Sequence, residues 1–301
     1  MPYSQMKTQH LNQCPACGSS NFKRFGEIKD HYYSQEIFLI EECQNCGLRF
    51  TQDRPSAEHI GEYYDSGNYA SHDSKSKTSL FLKVYATARD WMLEHKYKLV
   101  KQFKPEWKKV LDYGTGEGFF VEFLRKKGLD AQGIEPSELA RDNFKKRTGT
   151  NLFPSVDNLP EALSFQAITL WHVLEHIHEL KPTMEKLVAK IENKGIMVIA
   201  VPNQQSTDAK AFGNEWAAWD VPRHLYHWDD KSLSAFMTNL GMEKIYTTHL
   251  PLDPFYIGMI SARYKKESTI SGLMTGLKSY FHGSKTPAEG STLLSIWMKN
   301  K

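Results

Sequence analysis

Residues 110–120, V-L-D-Y-G-T-G-E-G-F-F, constrain the fold of this chain more than any other stretch. A short apolar strand pattern ends on an acid, Asp112. Glycines then recur at alternate positions, Gly114, Gly116 and Gly118, before a helical pattern begins. Glycine has no Cβ, so such a loop turns tightly and lets a ligand lie against backbone amides. The order is acid and then G-x-G-x-G, whereas the dinucleotide fingerprint carries its third glycine where this chain has Phe119. The pattern suits a ligand without a pyrophosphate, held by an amino-acid end and a nucleoside.

Residues 129–135, L-D-A-Q-G-I-E, form a second short strand closing on an acid, after a helix-length stretch stopped by Gly128. An acid at the tip of the second parallel strand, about 20 residues past the glycine loop, can accept both hydroxyls of an adenosine ribose. Glu135 stands close to that distance. Pro136 ends the strand, and Ser137 with Ala140 one turn on marks a helix start. From Trp107 onward strands and helices alternate, the pattern of a parallel sheet covered on both faces. Strands are predicted at 109–113, 131–135, 151–155, 166–171, 195–201, 241–249 and 292–297.

On these motifs the chain resembles class I S-adenosylmethionine-dependent methyltransferases. The resemblance implies a seven-stranded, mostly parallel, doubly wound α/β sheet of Rossmann-like type, closed by a terminal antiparallel hairpin. It implies S-adenosylmethionine as cofactor, bound by Asp112, Gly114, Gly116, Gly118, Glu135 and Pro136. Trp171 and His172, at the tip of the fourth strand, are then expected beside its methionine part.

All four cysteines lie near the N-terminus, as Cys14-Pro-Ala-Cys17-Gly and Cys43-Gln-Asn-Cys46-Gly. Two C-x-x-C knuckles, each followed by glycine, place four thiolates at the corners of a tetrahedron and predict a structural zinc. Residues 18–42 separate the knuckles, slightly more than the usual ribbon, and stretches 22–28 and 36–41 read as the strands that fill the gap. Two disulfides are the alternative, disfavoured in a reducing compartment. A redox C-x-x-C usually opens a helix, which the prolines and strands argue against. Four cysteines leave no open coordination position for catalysis.

The 301 residues carry a net charge of +3 with Lys+Arg and Asp+Glu nearly equal, so charge does not call for nucleic acid. The first residues lack a signal-peptide core, and no stretch approaches the ~18 apolar residues that span a bilayer. A cytoplasmic protein with no integral membrane segment is expected, and a homodimer is compatible with the sequence. The organisation predicted is a zinc-ribbon module at 1–54, a connector and long helix at 55–104, and a catalytic domain at 105–301 with an insertion at about 254–289. Apolar residues at helical spacing from Leu80 to Phe103 define the long helix. The insertion sets Phe255, Tyr256, Ile257, Leu273, Met274, Leu277 and Phe281 beside Lys265, Lys266, Lys278 and Lys285. It reads as packing on the sheet, covering the substrate mouth, or lying on a membrane surface.

Residues 171–176, W-H-V-L-E-H, contain the H-x-x-E-H signature of inverted zinc proteases. That chemistry needs both histidines on one helix, whereas a buried strand stops here at His172. Glu175 and His176 are expected to be satisfied polar groups of the following turn. Residues 203–228 show no periodicity and hold Phe212, Trp216, Trp219, Arg223, His224, Tyr226, His227 and Trp228, which reads as a substrate wall, with core packing the alternative for about half of the rings.

The order of zinc ribbon, Y-Y-x-S-G-x-Y connector, long helix and methyltransferase core is similar to sugar C-methyltransferases acting on nucleotide-linked deoxysugars. In that family an E-H pair before an aromatic and a helix start supplies the base. The matching stretch here, R-H-L-Y-H-W-D at 223–229, puts His224 in that place; Arg223 stands where the family has glutamate, and the family's extra C-terminal domain has no counterpart. P-R-H-L-Y-H also occurs in a broad group resembling quinone and small-molecule O-methyltransferases. Tyr64 and Tyr69 read as a lid over the cofactor or as interdomain packing. The function expected is in-line methyl transfer to a small-molecule acceptor, a nucleotide sugar or other hydroxyl or carbon nucleophile, with a histidine base. The alternatives are an RNA base methyltransferase that grips nucleic acid through its ribbon and a non-catalytic binding module.

Overall fold

The computed structural model describes residues 8–64 and 79–300. They fall into two compact units. The first takes the described part of Met1–Ser66 with His172–Met184 and Ile199–Trp297. The second takes the described part of Gly67–Trp171 with Glu185–Val198 and Met298–Lys301.

The main sheet has six strands in the order Met242–Thr248, Thr292–Lys299, Ile191–Pro202, Phe165–Trp171, Lys109–Tyr113 and Asp130–Ile134. It is mostly parallel. Within the second unit, Lys109–Tyr113 runs parallel to both neighbours and sets Asp112 opposite Gly133 and Thr169. Val110, Leu111, Ala167, Ile168 and Leu170 are buried, as expected for strands covered on both faces. The seventh strand expected, at 151–155, is reduced to a single parallel bridge between Ile134 and Phe153. Pro154 has no N–H to continue a ladder, and the chain enters the 3-10 turn Val156–Asn158 at once.

The helix Glu138–Thr148 begins where Ser137 caps it, accepting from the Ala140 amide, and ends at Gly149 with φ of 72°. The long helix runs Ser79–Phe103, one residue from its predicted start.

In the first unit, Phe22–Lys29, Ile37–Cys43 and Arg49–Thr51 pair antiparallel. Tyr226–His227 adds a fourth strand, with Tyr226 opposite Phe50. The segment 203–228 is therefore not structureless. It holds the helix Thr207–Phe212, the 3-10 turns Gly213–Glu215 and Ala217–Trp219, and that strand. Its rings correct the substrate-wall reading. Phe212, Trp216 and Trp219 pack with Ile28, Phe38, Ile40, Ile257 and Ala262 in one buried core, and Tyr226 and Trp228 are also buried. A chain this aromatic excludes water by packing its rings on a small sheet; truncating one such tryptophan to alanine costs about 3–5 kcal/mol. The insertion is a hairpin of two helices, Asp253–Tyr264 and Thr269–Lys285.

Candidate active site

The glycine loop lies in the second unit. Gly114, Gly116 and Gly118 all have positive φ, and a Cβ on Gly118 would run into the Phe144 ring. No other residue type satisfies both conditions there. The Gly114 and Thr115 amides donate to the Ile134 carbonyl at 2.8 and 3.0 Å, folding the loop over the neighbouring strand end. The Gly116 amide donates to one Glu135 carboxylate oxygen at 2.7 Å, and the Ser137 amide to the other at 2.9 Å. These bonds orient the carboxylate and leave lone pairs for further hydroxyl donors. Arg141 donates to the Glu135 and Pro136 carbonyls at 2.8 and 2.6 Å and holds the strand-to-helix turn.

Asp112 is buried and accepts the Thr169 hydroxyl at 2.6 Å. Burial raises its pKa, and the Thr169 bond opposes that shift. Trp171 meets the edge of Phe120 at 5.8 Å, with the Lys96 ammonium 4.5 Å from its ring centroid. Its indole N–H is buried and has no hydrogen-bond partner, which makes it a donor that a ligand can satisfy.

The first unit contains a separate cluster of titratable groups. His172 ends its strand with φ of 56°, an uncommon conformation for a residue with a Cβ. Its Nε2 lies 2.9 Å from Asp253, which also accepts from the Thr292 hydroxyl, and its Nδ1 lies 3.6 Å from Glu175. Burial alone would lower the His172 pKa. The carboxylates of Asp253 and Glu175 reverse this and raise it to about 10. Leu174–His176 is a single 3-10 turn, so the two histidines do not share the helix that an inverted protease site needs.

Glu175 differs from expectation. It is completely buried, yet neither carboxylate oxygen has a hydrogen-bond partner. His176 and His224 stand beside it, edge to face with centroids 4.7 Å apart, and all three present ligand atoms within 4.8 Å of one another. The His176 Nδ1 is 2.9 Å from the Arg223 carbonyl and 3.0 Å from the Tyr64 hydroxyl. The His224 Nδ1 is 2.8 Å from the Ala218 carbonyl. A carbonyl only accepts, so each ring donates from Nδ1, and the His224 Nε2 lies 3.9 Å from the Asp220 carboxylate. Burial, then the neighbouring His224, lower the His176 pKa to about 4. Burial would raise the Glu175 pKa, but His172, His176 and His224 hold it below the usual carboxylate value.

The cluster is held by the N-terminal sheet. The Thr51 hydroxyl donates to the His224 carbonyl at 2.8 Å. Arg223, buried, bridges Asp30 at 2.9 Å and Asp220 at 2.7 Å, so it is neutralised within the fold. Tyr64 belongs to the cluster through His176, and Tyr69 lies outside the described residues. His176 is a satisfied polar group of the turn, as expected, whereas Glu175 has no hydrogen-bond partner within it.

The four cysteines come together. The Sγ atoms of Cys14 and Cys46 are 3.6 Å apart, as are those of Cys17 and Cys43, and all four fall within 4.8 Å. Four sulfurs around one zinc at the usual bond length would be about 3.8 Å apart, so the set fits a tetrahedral ion. Gly18 and Gly47, at φ of 75° and 80°, close the two knuckles.

A profile of the methyltransferase-domain family matches residues 85–247, more than half of the sequence, and the chain belongs to that family. The ubiquinone biosynthesis O-methyltransferase of Rhodopseudomonas palustris strain HaA2 is 25% identical over 129 residues, covering 40% of this chain and 51% of that protein. The corresponding protein of Azorhizobium caulinodans is 22% identical over 180 residues, 55% of this chain and 71% of that one. The chain spans about half the length of most curated relatives it matches. Among solved structures, the plantazolicin methyltransferase BpumL in complex with SAH superposes with a TM-score of 0.44 at 17% identity, covering 65% of this chain and 77% of that one.

Proposed function

We propose that the protein is an S-adenosylmethionine-dependent methyltransferase acting on a small-molecule acceptor, with His224 taking the acceptor's proton. The observation that carries the base assignment is the placement of His224, which donates from Nδ1 to the Ala218 carbonyl at 2.8 Å and stands beside the buried Glu175. S-adenosylmethionine, when bound, supplies an electrophilic sulfonium methyl. Glu135 accepts ribose hydroxyls, the glycine-loop amides leave room for the nucleoside, and the Trp171 and His172 region receives the methionine end. Holding the acceptor in line with the methyl is worth about 7–11 kcal/mol. The His224 Nε2 would take the proton of the acceptor's hydroxyl or acidic carbon, and the Glu175 carboxylate would balance the imidazolium. Such a base contributes ~10²–10⁴-fold. Cys14, Cys17, Cys43 and Cys46 hold a structural zinc.

The test is calorimetric titration with S-adenosylhomocysteine, followed by turnover of nucleotide sugars and phenolic acceptors by wild type and His224→Ala. Absence of cofactor binding overturns the methyltransferase reading. Unchanged turnover in the variant overturns the base alone. A second reading, in which Glu175, His176 and His224 hold a divalent cation, is distinguished by metal analysis: two ions per chain instead of one would make the trio ligands.

A further inference from the structure

The helix Thr269–Lys285 is built inside out. Its buried face consists of Gly272, Gly276, Ser279 and Gly283. A Cβ on Gly272 would collide with Gly258, and one on Gly276 with Pro254, both on the helix Asp253–Tyr264. The bulky apolar residues point the other way. Ile270 is 72% exposed, Met274 60% and Phe281 54%, with Leu273 and Leu277 beside them. At 3.6 residues per turn these five occupy an arc of about 100°. Isolated apolar residues on a surface need no explanation, but a continuous stripe along one helix marks a contact with something outside the described residues.

Charge identifies the partner. Lys278 and Lys285 border the stripe, and both are exposed. Residues 263–285 carry Arg263, Lys265, Lys266, Lys278 and Lys285 against Glu267 alone, five cations to one carboxylate in a chain whose net charge is only +3. A second copy meeting this face about a twofold axis would set one cationic patch against another, with Glu267 the single carboxylate of the segment to offset five cations. No described helix is long and apolar enough to cross a membrane.

We propose that the exposed face of Thr269–Lys285 docks on an anionic lipid bilayer. Ile270, Leu273, Met274, Leu277 and Phe281 enter the boundary between headgroups and acyl chains, and the lysines engage the headgroups. The proposal does not depend on the acceptor, and its readout is independent of turnover.

The test uses the full chain in vesicle sedimentation. Vesicles of equal parts phosphatidylcholine and phosphatidylglycerol are expected to pellet the protein, and phosphatidylcholine alone to leave it in solution. Lys278→Ala and Lys285→Ala are each expected to weaken binding roughly fivefold. Met274→Glu with Phe281→Glu, both at exposed positions, is expected to abolish binding with an unchanged melting temperature. The proposal is overturned if wild type stays in solution with both vesicles, or if the double variant pellets as well as wild type. It is also overturned if wild type sediments as a dimer that the double variant dissolves, which would assign the face to a second copy.

Discussion

The Thr51 hydroxyl donates to the carbonyl of His224 at 2.8 Å, joining the sheet that carries Cys43 to the backbone of the histidine beside Glu175. The connection continues through the backbone: the Thr51 amide donates to the Leu225 carbonyl at 3.0 Å, and the Leu225 amide to the Glu175 carbonyl at 2.8 Å. The cysteine module thus positions both groups proposed to handle the proton, His224 and Glu175. Thr51→Val removes the hydroxyl donor and leaves a buried carbonyl unsatisfied, at about 1–3 kcal/mol. Turnover is expected to fall with affinity for S-adenosylhomocysteine unchanged, while Thr51→Ser retains both.

His224→Ala is expected to lower turnover ~10²–10⁴-fold. Calorimetry should show the cofactor bound as in wild type, because the glycine loop belongs to the other compact unit.

Glu135→Ala removes the carboxylate that the Gly116 amide orients at 2.7 Å. Losing a charge-assisted bond to a ribose hydroxyl costs roughly 1.5–3 kcal/mol, so the cofactor dissociation constant should rise about 10–100-fold. Gly118→Val is expected to be worse, and to lower the melting temperature as well, because its side chain must displace the Phe144 ring.

His172 gives the stability a defined pH dependence. Its folded pKa, about 10, lies above the unfolded value near ~6.5. The contribution of its pairing with Asp253 and Glu175 is therefore complete below about pH 6.5 and is lost as the pH rises through about 10. Urea unfolding of wild type should weaken across that window. Asp253→Asn should be less stable than wild type at about pH 6, and the difference should shrink towards about pH 10.

Metal analysis is expected to find one zinc per chain at the four cysteines. Zinc binding in small modules supplies about 10–16 kcal/mol of apparent free energy, so chelation or Cys43→Ser should unfold the N-terminal sheet. Its loss should appear first in the signal of Trp219, whose ring lies 5.6 Å from Phe25 of that sheet.

The parallel half of the fold was legible because its signals are local. Asp112, the three glycines, Glu135 and the Ser137 cap each state their conformation within a few residues, and the strands at 109–113 and 166–171 were placed to within a residue. The third strand was not, since the apolar pair Leu152 and Phe153 promised a ladder that Pro154 cuts short. The aromatic stretch 203–228 misled for a different reason. Ring density looks alike in a ligand wall and in a core, and only pairing of Tyr226 with Phe50, distant in sequence, decides between them. The surroundings of Glu175 were not legible either, because His224, far along the chain, comes beside it only in the fold.

The outermost strand of the cysteine-bearing sheet comes from residues 226 and 227. A fragment that stops short of them leaves Arg49–Thr51 with naked amides and carbonyls along one side, a template for intermolecular strand addition. An isolated ribbon is accordingly expected to aggregate even when loaded with zinc, and the earliest part of the chain must wait for a late one before it can finish folding.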